Sequence, residues 1–245
     1  MPWLAYVAIS LAVSIVTFWG MGGLVHYHYY VRRRSDAARW KIQPTRWLTK
    51  EQFRFALQLS ALNLTLGSLI GGTLTWHIAR GGWSTIYLDL ERHGLVWTIV
   101  QGPLVFFFID AGLYYSHRLL HDRRLFRYIH RWHHRFVAPM IFTTTAMHPI
   151  EFLIFATVLF APAFFLPLHA GIYVAVILYT YLIGMIDHSG IKLGVPLPFH
   201  ASNTFHDEHH TAFHCNYGHH TAIWDRLHGT CRRADREYGE DVFHS

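Results

Sequence analysis

Residues 3–25, WLAYVAISLAVSIVTFWGMGGLV, contain no charged side chain. A helix of that length rises about 34 Å, enough to cross a hydrocarbon core of about 30 Å. In lipid the backbone must satisfy its own polar groups, so such a run commits the chain to helix as well as to a bilayer. No Lys or Arg precedes the run, and it is too long for the apolar part of a secretory signal, so a retained anchor is expected. With 52% hydrophobic and 15% charged residues, the whole chain has the composition of a membrane protein.

Three more apolar stretches follow. Residues 55–79 form a second expected span, whose Gly67, Gly71 and Gly72 allow close helix contact. Residues 95–116 form a third. Residues 150–187 form a longer block broken by Pro162, Pro167 and Gly171, each half short for a full span, which predicts a tight hairpin or a re-entrant pair. Residues 26–54 carry eight Lys and Arg against Asp36 and Glu51, so the positive-inside rule puts this loop in the cytoplasm. Trp40, Pro44 and Trp47 within it predict a short segment lying on the membrane surface. By parity, the third span and the hairpin both return to that side. No repeat or low-complexity linker divides residues 1–245, which are expected to form a single domain. Cys215 and Cys231 lie in no CxxC pair and are expected to be reduced.

The third span runs into HRLLHDRRLFRYIHRWHH at residues 117–134, and the hairpin is followed by HDEHH at 206–210. His117 and His121 are four apart and share a helix face. His130, His133 and His134 are spaced i, i+3, i+4, and His206, His209 and His210 repeat that spacing. Eight phased imidazoles exceed one tetrahedral ion and suit a pair of metals with open positions. The intervening arginines allow a duller account, a basic helix facing headgroups, but that does not explain the phase of the histidines. His188, after Asp187 at the end of the hairpin, is a candidate ninth ligand or a satisfied interfacial histidine. Asp110 and Tyr114 continue the stripe of His117 and His121 back into the span. An aspartate there could orient a ligating imidazole or pair with a neighbouring helix. His148 and Glu151, around Pro149, are expected to cap the next helix or to act at the site. His214, His219, His220 and His228 repeat no box spacing and are read as surface groups or as supports behind the ligands.

Taken in order, HxxxH, HxxHH, HPxE, DHSG, HxxHH, NYG and WDRLxGT resemble the fatty acid hydroxylase and sterol desaturase superfamily of membrane diiron oxygenases, over about residues 107–232. The fold class expected is all-α: a multi-pass membrane helical bundle capped by a cytosolic, histidine-rich helical metal domain built from residues 117–149 and 188–232. The resemblance implies two iron ions, with zinc as a possible substitute, and dioxygen as co-substrate. It carries the ligand roles onto His117, His121, His130, His133, His134, His206, His209 and His210, with His188 less firmly matched. Fatty acid 2-hydroxylases have a further histidine one turn before the DHSG stretch, where this chain has Gly184.

The activity implied is hydroxylation of a lipid C–H bond in the sterol, sphingoid or fatty acyl class, with desaturation as the alternative and a zinc-dependent membrane hydrolase, using Glu208 as base, as a more distant one. His148 and Pro149 are not followed by the paired glycines of a b-type haem motif. An external donor is therefore expected, a b-type cytochrome or ferredoxin-like carrier with its reductase. The net charge of +6 suits an acidic carrier and anionic membrane lipids; no nucleic-acid partner is expected. The expected location is an integral membrane protein of a bacterial inner membrane or the endoplasmic reticulum, its metal site facing the cytoplasm.

Overall fold

A computed structural model describes residues 1–193, 201–236 and 238. Most of the breaker run after His188 therefore lies outside the described residues. Among the described residues there is no strand; only two isolated β-bridges occur, Lys41 with Ile191 and Tyr87 with His169.

Four helices are long and apolar enough to cross a membrane: α1 (Trp3–Arg32), α2 (Lys50–Ala79), α3 (Gly94–Leu120) and, later in the chain, α6 (Ala170–Asp187). The first extends past Val25, where its apolar run ends. Its last residues, His26–Arg32, wind in wide π turns, and these bring Tyr30 inward to donate to the Ser189 carbonyl at 2.7 Å. Leu4, Ile9, Val13, Val16 and Leu24 along α1 are exposed in the protein, as a lipid-facing surface requires. The other side packs along α2. A Cβ on Gly72 would lie 2.5 Å from the Val7 Cα, so only glycine permits this approach.

In the segment after α1, Ser35, Ala38, Arg39, Thr45 and Arg46 are exposed, but one of its tryptophans turns into the protein. Trp40 is 3% exposed and packs with Tyr30, Phe142, Met185 and Ile191, and its indole N–H donates to the Arg33 carbonyl at 2.7 Å. Burial against protein satisfies both its ring and its N–H, which a headgroup layer would satisfy only in part. Thr49 and Gln52 then start α2 with a reciprocal capping box. Two buried polar side chains of α2 fasten the loop over residues 142–147. Ser60 donates to the Phe142 carbonyl, and Asn63 to the carbonyls of Thr145 and Met147.

Beyond α3 the chain turns at Asp122, whose carboxylate accepts from the Arg124 N–H, into α4 (residues 123–134). This helix passes from α turns through a π segment, Phe126–His130, and back. The apolar block divides unequally into α5 (Pro149–Phe164) and α6 (Ala170–Asp187). The regular part of α5, Pro149–Phe160, rises only about 18 Å, but the turn after it reaches the loop between α2 and α3, where the carbonyls of Ala163 and Leu168 accept from the N–H groups of Thr85 and Tyr87, so α5 and α6 form a hairpin. The helix α7 (Asn203–Ala212) and the short α8 (Ile223–His228) close the end where α3 and α6 finish. All the histidine boxes sit at that end.

Candidate metal centre

The nine histidines expected to bind metal come together, in two sets. His117, His121, His130, His134 and His209 form one; His133, His188, His206 and His210 form the other. Within each set one ligand nitrogen per residue lies within 4.8 Å of all the rest, and every member is buried. One rule sorts the boxes between the sets. Residues i and i+4 stay together (His117 with His121, His130 with His134, His206 with His210), while the i+3 residue (His133, His209) crosses to the other set. On a helix i and i+4 are about 40° apart, but i+3 and i+4 are about 100° apart, so a single box faces two centres.

The hydrogen bonds fix the tautomers. The Nδ1–H of His117 donates to the Tyr217 carbonyl (2.8 Å), that of His133 to Ala146 (3.3 Å), that of His188 to Gly184 (2.8 Å) and that of His209 to Cys215 (2.6 Å). His130 Nδ1–H donates to Glu151 Oε1 at 2.7 Å. Carbonyl oxygens only accept, so in the four rings bound to carbonyls the proton is on Nδ1 and Nε2 carries a lone pair. Yet His133 Nε2 and His188 Nε2, both of that kind, are 3.0 Å apart, and His117 Nε2 is as close to His130 Nε2. The same spacing recurs from His130 to His134 and from His188 to His206.

Lone pairs facing each other at that distance repel unless a cation lies between them. Two nitrogens about 2.1 Å from one ion and at right angles to each other are separated by about 3.0 Å. His121 and His210 have both ring nitrogens buried without a hydrogen-bond partner, which costs about 1–3 kcal/mol per group unless something binds them. Burial holds the imidazoles of His121, His133, His134, His206, His209 and His210 well below their ordinary pKa, and brings His130 to about 3 and His188 to about 4. They are neutral donors through the physiological range, so protons do not compete with a metal there. The residues fit a pair of transition-metal ions.

Asp110 lies where its helix stripe predicts but engages different partners. Its buried carboxylate accepts from the N–H groups of His220 and Thr221 (3.3 Å each), the Thr221 hydroxyl (2.6 Å) and the Trp224 indole (2.9 Å), rather than from an imidazole. It holds the loop whose Tyr217 carbonyl orients His117. Tyr114 bonds the Thr230 hydroxyl at 3.0 Å and stacks on His228, so it too anchors the tail. Asp187 is buried at the end of α6 but belongs to neither set. Glu208 faces outward to Arg232 at 3.4 Å, and the other carboxylate of that box, buried Asp207, accepts from Gln43 Nε2 at 2.7 Å. His148 caps α5, accepting from the Ile150 N–H. Its expected companion Glu151 is instead the carboxylate behind His130. A charge in the first turn of an apolar helix was the available signal, by the argument that singled out Asp110.

Replacing Glu151 with Gln keeps the shape but weakens the acceptor. Metal affinity of the five-histidine set is expected to fall roughly 10–100-fold, read by competition with a chromogenic chelator. Unchanged affinity would mean that Glu151 is only a packing group.

The sequence profile of the fatty acid hydroxylase family matches residues 102–230. A Delta(7)-sterol 5(6)-desaturase of Saccharomyces cerevisiae is 30% identical over 76% of this chain and 51% of its own length. One from Candida glabrata is 29% identical over the same shares. Methylsterol monooxygenase 1 of Gallus gallus is 38% identical over 49% of this chain and 42% of its own. The chain thus spans about half the length of the curated relatives it matches. No solved structure matches it. The matched segment runs from the middle of α3 to the turn after α8 and takes in both histidine sets, so the chain belongs to the fatty acid hydroxylase family.

Proposed function

We propose that the protein is a membrane oxidoreductase that uses dioxygen, two electrons and a pair of iron ions to hydroxylate a C–H bond of a lipid of the sterol, sphingoid or fatty acyl class. One observation carries the reading: two adjacent sets of neutral, buried imidazoles whose unprotonated nitrogens are 3.0 Å apart. That edge suits right-angled coordination; tetrahedral zinc at similar bond lengths would put the nitrogens about 3.4 Å apart. A set of five donors also exceeds what tetrahedral zinc takes, and Glu208, the base that the hydrolase reading names, is turned toward Arg232.

Bound at these sets, the iron pair would supply the reduction of dioxygen that makes an unactivated C–H bond reactive. The balance is R–H + O2 + 2e⁻ + 2H⁺ → R–OH + H2O. The chain's own residues keep the donors in one tautomer through carbonyls and Glu151, exclude bulk water by burying all nine, and present them at the end of the spans. A lipid in the adjoining leaflet would reach them there by lateral movement. Desaturation is the second reading, because the relatives matched over 76% of this chain are named as desaturases. In that case two hydrogens leave and a second water forms in place of the alcohol. The basic loop after α1 supports a cytoplasmic site.

Lipid mass spectrometry of the source cell with and without the gene tests the reading. Loss of a lipid one oxygen heavier than an accumulating precursor is the expected result; loss of one two hydrogens lighter selects desaturation. No change in any lipid while the protein is expressed would overturn both.

The electrons must come from outside the described chain. Arg123, Arg127 and Arg131 recur every fourth residue along α4 and Arg135 follows at its end, all exposed, and among the described residues none of these four pairs with a carboxylate. Arg127, Arg131 and Arg135 rim a cleft of about 500 Å³ that reaches His134. An acidic b-type cytochrome or ferredoxin-like carrier fits this face. The double change Arg127→Glu and Arg131→Glu is expected to raise the KM for such a carrier about tenfold or more at low salt, with kcat kept. Loss of binding to anionic vesicles with an unchanged carrier KM would assign the row to headgroups.

A further inference from the structure

The turn over residues 217–221 is held more firmly than its length requires. Asp225 accepts from the N–H groups of Tyr217 (2.9 Å) and Gly218 (2.7 Å), and Asp110 from those of His220 and Thr221 (3.3 Å each). Both carboxylates are fully buried. Asp225 is itself fixed by the Thr230 hydroxyl at 2.6 Å. A Cβ on Gly218 would collide with the Thr221 carbonyl and lie 2.8 Å from Asp225 Oδ2, so no other residue fits. Two carboxylates therefore grip the backbone on either side of one residue, His219.

The ring held this way stands at the seam of the two histidine sets. Its centre is 4.7 Å from that of His117, in the five-membered set, and 5.7 Å from that of His206, in the four-membered set. The first distance equals that between His134 and His209, and nearly that between His117 and His130, pairs within one set. Its Nδ1 is buried and has no hydrogen-bond partner. Phe155, 5.5 Å away, offers only an apolar face. A ring serving only to pack would not need an imidazole, and a buried nitrogen without a partner costs about 1–3 kcal/mol.

We propose that His219 is a tenth metal ligand, seated at the seam between the two sets, against His117 of one and His206 of the other. The inference rests on the metal-pair reading above. It raises the imidazoles around the pair from nine to ten. It also gives the Asp110 and Asp225 clamps a purpose, because a ligand on a turn needs its backbone fixed if it is to stay within bonding reach.

The test uses detergent-purified full chain loaded with cobalt(II) alone, comparing wild type with His219→Ala and His219→Gln. Cobalt content by elemental analysis, cobalt affinity and the visible ligand-field spectrum are read without turnover. Both variants are expected to bind one of the two ions about tenfold or more weakly, and the cobalt bands to intensify as one centre loses a donor. Added imidazole should restore the wild-type spectrum of the alanine variant. Affinity and spectrum equal to wild type in a folded variant, with no response to imidazole, would overturn the proposal. If alanine prevents folding, the glutamine variant gives the same reading by affinity and band intensity. Wild type that fails to bind two cobalt ions would sink the metal pair itself, and this ligand with it.

Discussion

Changing His130 to alanine is expected to leave the purified protein with about one metal ion in place of two and with no detectable lipid product. His130 is the centre of its set, its Nε2 3.0 Å from the Nε2 atoms of both His117 and His134, and its Nδ1–H is bound to Glu151. Its removal takes away one donor and leaves Glu151 buried and uncompensated, with Oε2 already lacking a partner. The loss therefore exceeds the roughly 10–100-fold expected when only a group behind a ligand is changed. His133→Ala is the matching change in the other set. It too should reduce the content to about one ion, but it should spare the ion held around His117. Elemental analysis of both variants, with lipid mass spectrometry of cells expressing them, checks the result. Retention of two ions and full activity in either variant would refute the assignment of that set.

Asp110→Ala should be the most destabilising single change outside the histidines. The carboxylate is completely buried and accepts four hydrogen bonds, two from backbone N–H groups and two from side chains. Alanine leaves four donors facing a cavity in a place water does not readily reach. Each unsatisfied donor costs about 1–3 kcal/mol, but they relax together, so a total of about 3–5 kcal/mol is expected. For a chain of this size that lowers the Tm by about 10 °C. Asn at the same site keeps the volume but turns an NH2 group toward donors, and should recover only part of the loss. Thermal unfolding in detergent, followed by tryptophan fluorescence, measures both. A Tm within about 2 °C of wild type for Asp110→Ala would show that the loop over residues 216–224 is held by other contacts.

The phase of the histidines along the chain was enough to recognise a metal-binding cap, and the apolar runs were enough to place it at the end of a helical bundle. Both are local properties. Helix periodicity fixes which side chains share a face, and bilayer thickness fixes the length of a span. His188 could be named because it follows directly on an apolar run. Trp40 was misjudged as interfacial because a tryptophan beside basic residues reads the same whether its ring meets headgroups or other aromatic rings. The contacts of Glu151 and His219 escaped the sequence reading for a related reason. Glu151 meets His130 across 21 residues, and His219 meets His117 only because the chain returns after α7. Contacts of that kind leave no periodic trace.

By itself, then, the sequence determined the class of fold and which histidines gather at the end of the bundle. Only the tertiary structure decided how nine histidines divide into two sets, which acceptor fixes each tautomer, and that Asp110 holds a loop instead of an imidazole. A box spaced i, i+3, i+4 points in two directions at once, and which centre each direction serves depends on how α3, α4, α6 and α7 cross.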